Sequence, residues 1–391
     1  MTYALDFPTK IFRLFMFFSL LLLAFSTTKE QGGVITFSAP FLGLTILTLL
    51  PFALPNLLRI DGYVFILSLS YITVMAVATL LSADVIQSFV RFFFYLVAVV
   101  LFWSLLAVKD RFSIDIQYLS KLIQIAGISV SLYFISNFIY QSIEHGLVNV
   151  IYERHVGGLM SLPWAASNVI AQVLLLCLFS CLFVESKSGF SNFCVFIFFL
   201  AIVLTLSRSV LLLSLPIVLI YFGFVRFSIA FSILAALITY WMTVYAADLI
   251  DLTGFYDFIE RRTNANELLS GNDRFDLSLT KIEYFLQHPF EPVGFYSSIS
   301  QFQSTAHNYW ITTLVEQSLF ALLVSILLFS LFFVRACLLG FKIGFGFFMV
   351  MMGLSVEDPQ FTQQYTILIW LVFLMIQVSY EKKINRRENS N

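Results

Sequence analysis

Five residues of this sequence combine a reactive or anion-binding side chain with a setting in which it could act: Arg154, Arg208, Arg274, His307 and Asn308. Arg208 stands in Leu206-Ser-Arg-Ser-Val-Leu-Leu, with apolar runs on both sides. An ionised group there is costly and is a functional candidate by default. Its guanidinium fork fits phosphate oxygens two at a time, although an arginine at a membrane surface can also simply reach lipid phosphates. His307 and Asn308 lie in Ser304-Thr-Ala-His-Asn-Tyr-Trp, where a polar segment gives way to an apolar one. An imidazole titrates near neutral pH and can act as a general base. Arg274, in Gly271-Asn-Asp-Arg-Phe, and Arg154, in Glu153-Arg-His-Val-Gly-Gly, are further cations that could meet an anionic substrate. Asp273 and Asp276 beside Arg274 allow a plain surface ion pair, which is worth little. Glu316 follows His307 by nine positions, roughly 900° of helical rotation. That puts it on the opposite face and argues against a direct pair.

What must position these residues is a set of membrane helices. Of the 391 residues, 60% are hydrophobic and 12% charged, against about 25% charged in a soluble domain; the mean hydropathy is +0.91. The 46 Phe and 17 Tyr suit faces that pack against acyl chains and interfacial aromatic belts. A net charge of −1 offers no footprint for nucleic acid. Cys177, Cys181, Cys194 and Cys337 all fall in apolar runs and read as small hydrophobes. Lys10 and Arg13 before the first apolar run are compatible with a signal peptide, but no small-residue cleavage site follows, so an uncleaved first helix is expected.

At about 20 residues per crossing, the apolar runs predict an all-α polytopic membrane protein of about twelve spans. These cover Ile11–Phe25, Val34–Leu54, Tyr63–Leu81, Ser88–Ala107, Leu122–Ile139, Trp164–Phe183, Phe193–Leu206, Val210–Phe224, Ser228–Tyr245, His307–Val334, Phe345–Val356 and Tyr365–Val378. Residues 1–245 hold the first nine, 246–306 form a long external loop, and 307–391 hold the last three and a tail. With both termini cytoplasmic, 14 of the 22 Lys and Arg fall on the inner side, the arrangement expected of short cytoplasmic loops. The count works only if the seventh and eighth spans separate at Arg208. Arg154, Arg208, Arg274 and His307 then share the outer face. Within the long loop, Asp276–Gln287 alternates with a helical period and stops at Pro289, which predicts an ordered amphipathic helix rather than a disordered linker.

Several chemistries lack their motifs. There is no Gly-rich phosphate loop ending in Lys-Ser/Thr, no His-Glu-x-x-His, no Gly-x-Ser-x-Gly and no Asp-x-Asp. ATP-driven and nucleotide-sugar chemistry are therefore unsupported.

Three ordered stretches carry a family resemblance. Leu206-Ser-Arg-Ser-Val-Leu-Leu, then Gly271-Asn-Asp-Arg with His288-Pro289 and Gly294, then Ala306-His-Asn opening a helix, resemble the signature segments of the O-antigen polymerase and O-antigen ligase superfamily. The resemblance extends loosely over most of the chain, including Arg154 to Asn168. It implies a GT-C-like membrane glycosyltransferase of the bacterial inner membrane. The enzyme would be metal-independent, need no cofactor, and use a polyprenyl-diphosphate-linked oligosaccharide as donor at the periplasmic face. Arg208 and Arg274 would engage the diphosphate, with Arg154 and Asn308 as further substrate-binding residues, and His307 would activate the attacking hydroxyl. The acceptor would be a second lipid-linked repeat unit in a polymerase, with a chain-length regulator as a compatible partner, or lipid A core in a ligase. One departure stands out. The family's Gly about ten residues after the His is Ser318 here, a position we expect to concern close helix packing.

The flanks favour polymerase over ligase. A lipid-linked sugar flippase is the rival from another class, but it would carry charges and Gly or Pro breaks deep in several spans, whereas the charges here gather at one set of helix ends. A structural membrane subunit would predict that alanine at His307 is silent.

Overall fold

The computed structural model describes residues 6–28, 34–146, 149–150, 160–184, 188–223, 272–289, 291–302, 307–359 and 362–388. Arg154 and the expected ninth span, Ser228–Tyr245, lie outside them. The described chain is helical, with one antiparallel ribbon of β1 (Ser26–Thr28) and β2 (Val34–Thr36).

Apolar runs become helices where a short polar side chain caps them. α1 (Phe7–Leu21) starts at Asp6, α3 (Gly62–Leu80) at Asp61, α4 (Val85–Val108) at Asp84 and α5 (Ile116–His145) at Asp115. In each, the aspartate carboxylate accepts the backbone N–H three residues on, which satisfies a donor the helix cannot use itself. Between α1 and α3 lies α2 (Ala39–Ala53), which ends as a tighter 3-10 turn through Leu54–Arg59. α6 (Ser167–Ser180), α7 (Gly189–Leu204) and α8 (Arg208–Phe222) follow. After the long loop come α9 (Asn272–Gln287), the short α10 (Ser298–Phe302), α11 (Tyr309–Gln317), α12 (Leu319–Leu339), α13 (Phe341–Leu354) and α14 (Gln363–Glu388).

Six helical segments among the described residues are long and apolar enough to cross a membrane: Phe7–Ala24, Ala39–Arg59, Gly62–Leu80, Val85–Val108, Ile116–His145 and Leu319–Leu339. Ser167–Phe183, Gly189–Leu204, Arg208–Phe222 and Phe341–Leu354 are apolar but shorter. α14 forms the axis of the bundle. Its residues from Gln363 to Gln377 are buried without interruption, and it packs against α4, α5, α6 and α12. The outer helices turn large apolar side chains outward instead, such as Leu47 and Ile66, as a lipid surround requires.

The expected tenth span, His307–Val334, is corrected. The chain breaks at Ser318, whose φ of 113° no helix tolerates, so α11 is a nine-residue helix that cannot cross and the apolar span is Leu319–Leu339. The structure also gives Ser318 a backbone role. Its φ lies where L side chains are strained and glycine is at ease. Its hydroxyl accepts from Ala321 N at 3.4 Å to start α12. Glycine at this position would serve the backbone rather than a helix contact.

The bundle has two distinct ends. α3 and α4 form a hairpin, and α12 and α14 pack beside it. The C-terminus of α3 therefore shares one end with the N-termini of α4, α12 and α14. Phe295 N donates to Ala78 O at 2.9 Å and Ser88 Oγ donates to Phe295 O at 2.6 Å at that end. At the other end, Arg335 pairs with Asp61 at 3.2 Å and Lys109 pairs with Glu381.

Candidate active site

His307 is held by its own backbone and by one carboxylate. It adopts φ 49°, a left-handed conformation uncommon for a non-glycine residue, immediately before Asn308 caps α11. The Asn308 carboxamide oxygen accepts from Trp310 N at 3.0 Å and Ile311 N at 3.2 Å, and its Nδ2 donates to Ser355 O at 3.0 Å. Trp310 Nε1 donates to Ser355 Oγ at 3.1 Å. These bonds fasten the start of α11 to the turn that follows α13. That turn carries Glu357, whose Oε1 lies 2.9 Å from His307 Nδ1. Glu357 is 7% exposed and His307 34%, so the carboxylate is sequestered and the ring reaches the surface. A carboxylate can only accept. Opposite an ionised Glu357, Nδ1 carries the proton and the basic lone pair of the neutral ring is on Nε2.

The floor under this pair is close-packed. Gln172 of α6 donates Nε2 to Gly353 O at 2.8 Å, and a Cβ built on Gly353 would lie 2.4 Å from Gln172 Oε1. An added Cβ there would displace the Gln172 carboxamide from this bond. α8 packs on both α6 and α13, and its first residue, exposed Arg208, projects from the same end of the bundle as His307. Leu206, with φ 54°, makes the turn before it. Arg274 falls in the first turn of α9; its side chain, like the whole of Arg154, lies outside what is described.

α9, the amphipathic helix expected within the loop, packs against α11. Lys281 on it is fully buried, with Nζ 5.5 Å from the Phe302 ring centre. Burial pulls its ammonium down to about 8, against the attraction of Glu316 and Asp358. Glu316 is fully buried too, and its carboxylate accepts from Tyr296 N at 2.8 Å and Ser298 N at 3.0 Å. Burial pushes it up to about 8. It holds the returning loop through these two amides. Val293 N and Gly294 N add bonds to Val315 O and Glu316 O, each at 3.0 Å. Gly294, with φ 97°, passes so close that an added Cβ would meet Ser82 Cα at 2.4 Å.

No family model matches this chain, and no curated protein does.

Glu357 is the principal residue that the sequence reading missed. Its signal was present in Gly353-Leu-Ser-Val-Glu-Asp-Pro, a pair of acids directly after an apolar run, where ionisable residues are costly. Arg91 is another. It sits in α4 near the same end with its guanidinium 4.8 Å from the Tyr296 ring, a cation–π contact that no sequence spacing announces. The structure thus brings His307, Asn308 and Arg208 to one end of the bundle and supplies the imidazole with a carboxylate. A half-exposed imidazole oriented in this way can take a proton from a hydroxyl.

Proposed function

We propose that this protein is a membrane glycosyltransferase that joins polyprenyl-diphosphate-linked oligosaccharide repeat units, an O-antigen polymerase or a polymerase of a related surface polysaccharide. The His307–Glu357 pair, at 2.9 Å, is the observation that carries the reading. It provides an oriented base, at the end of the bundle where Arg208 also emerges and to which α9 brings the first-turn residue Arg274. The resemblance of the Arg208, Arg274 and His307 segments to the polymerase and ligase superfamily supports the same assignment of roles.

In this mechanism Nε2 of His307 accepts the proton of an acceptor sugar hydroxyl as its oxygen attacks the anomeric carbon of the donor. The new C–O bond forms while the bond to the diphosphate breaks, and the polyprenyl diphosphate leaves with the electron pair. Arg208 and Arg274 stabilise the charge growing on the diphosphate oxygens, an effect that preorganised donors exert most strongly in the transition state. One displacement of this kind inverts the anomeric centre. Glu357 stabilises the imidazolium that forms, as a buried carboxylate does in other acid–base pairs. The site end would face the periplasm, and the acceptor groove would decide polymerase against ligase.

Replacing His307, Arg208 or Arg274 with Ala in the full chain should leave the protein in the membrane and remove long-chain polysaccharide from gels of surface glycan. Normal ladders from all three variants would sink the proposal. Deleting the protein should leave single-repeat surface glycan; polymer stranded on its lipid carrier would indicate a ligase instead.

A further inference from the structure

The end of the bundle opposite His307 holds two cavities on either side of the last turns of α14, and their charges differ. The first, about 460 Å³, contains Lys109, Lys382 and Arg386, but also Asp110, Asp115 and Glu381. Lys109 there is paired with Glu381, while Lys382 and Arg386 line both cavities. The second, about 550 Å³, contains Lys382, Lys383, Arg386 and Arg387 and, among the described residues, no acidic one. Its remaining wall is Ser379 and five apolar side chains, Leu182, Phe183 and Leu339 among them.

We propose that this second cavity is a binding site for the headgroup of an anionic phospholipid. Four cations converge on one side of a recess whose other side is apolar, which is the pattern of an amphiphile with a negative head. The volume lies within the roughly 300–1,000 Å³ of small-ligand pockets. Depth agrees as well. The lining comes from the start of α5, the turn after α6, the α12–α13 junction and the C-terminal turns of α14, all helix ends at one membrane face, where headgroups lie. Leu338 and Phe341, 50% and 76% exposed, flank Leu339 and offer acyl chains an apolar surface at the rim. Lys383 is already anchored by a 2.6 Å bond from Nζ to Leu338 O, which fixes one cation at the α12 end of the recess. Basic pockets between membrane helices attract anionic headgroups through the same field that draws polybasic segments to a membrane surface.

The test uses the full-length purified protein, native mass spectrometry and thermal unfolding, with phosphatidylglycerol, phosphatidylcholine or free glycerol phosphate added. Phosphatidylglycerol should be retained and should raise the unfolding temperature, phosphatidylcholine should do neither, and the difference should shrink in high salt. The double variant R386Q/R387Q should weaken phosphatidylglycerol retention by on the order of 25-fold, about fivefold per cation. R386K/R387K should restore most of it, and K10Q/K121Q, whose cations lie outside both cavities, should leave it unchanged. Equal retention of the two lipids, equal protection by free glycerol phosphate, or unchanged retention in R386Q/R387Q would overturn the proposal. Should R386Q/R387Q fail to fold, the comparison of the two lipids and glycerol phosphate on the native protein decides alone.

Discussion

The two ends of this helical bundle treat their ionisable residues in opposite ways. Around His307, ionisable groups are buried and divided among tasks: Glu357 holds the imidazole, Glu316 gathers two backbone amides, and Lys281 is buried between α9 and the 291–302 segment. Positive φ angles at His307, Tyr296 and Ser318 accompany them. At the opposite end, Arg335 meets Asp61 at 3.2 Å and also reaches Gln377, while Lys109 meets Glu381. Within these two pairs the charges neutralise one another at the ends of regular helices, an arrangement that fastens α3, α4, α12 and α14 together. Strain and sequestered charge concentrate where chemistry is proposed, whereas simple pairing serves the frame.

The strongest way to break this comparison is to remove the carboxylate from the imidazole. Glu357→Gln should lower glycan transfer per folded molecule by on the order of 100-fold, within the range that an acid–base group contributes, and His307→Ala should lower it at least as far. The decisive readout is the double variant. If Glu357 acts through His307, adding Glu357→Gln to His307→Ala should cost nothing more, because residues that work as a unit are strongly non-additive. A further loss in the double variant would show that Glu357 supports the fold or the substrate independently. The matching change at the frame end is Arg335→Leu. It leaves Asp61 about a third exposed and able to recruit water, so the expected loss is about 2 kcal/mol of stability. Transfer by the protein that remains folded should be unaltered; a selective loss of turnover would contradict the division between the two ends.

Much of the frame was legible in the sequence because its signals are local. Asp61, Asp84 and Asp115 each precede an apolar run and each caps a helix. Ser207-Arg208 interrupts the longest apolar stretch, and the chain does turn there between α7 and α8. The amphipathic period of Asp276–Gln287 became α9. What escaped is long-range or conformational. Glu357 stands 50 residues beyond His307 in the sequence, and no periodicity links a turn after one helix to the start of another. Lys281 in a mostly polar helix looks like a solvated charge until the 291–302 segment folds over it. The break at Ser318 does follow the polar cluster Thr312, Thr313, Glu316 and Gln317, but the apolar run on both sides invites one continuous span, and a positive backbone angle leaves no mark on composition.

That break also supplies the finest test, since strain at the site end should be removable without harm to the frame. Ser318 has φ 113° and ψ 166°, in a region that essentially only glycine occupies and that costs other residues about 1–3 kcal/mol. Ser318→Gly relieves this cost. Against it stand the greater freedom of glycine in the unfolded chain, about 0.5–1 kcal/mol, and the loss of a weak cap, the 3.4 Å bond from Ala321 N. The net expectation is a gain on the order of 1 kcal/mol, read as a higher unfolding temperature, with glycan transfer retained because the α11–α12 break persists. Ser318→Ala keeps the strain and deletes the cap, so it should be less stable than the native protein. A destabilising Ser318→Gly would mean that the angle is not strained, a stabilising Ser318→Ala would mean that the cap is worth nothing, and a Ser318→Gly variant that is stable yet inactive would mean that tension at the break helps to hold His307 in place.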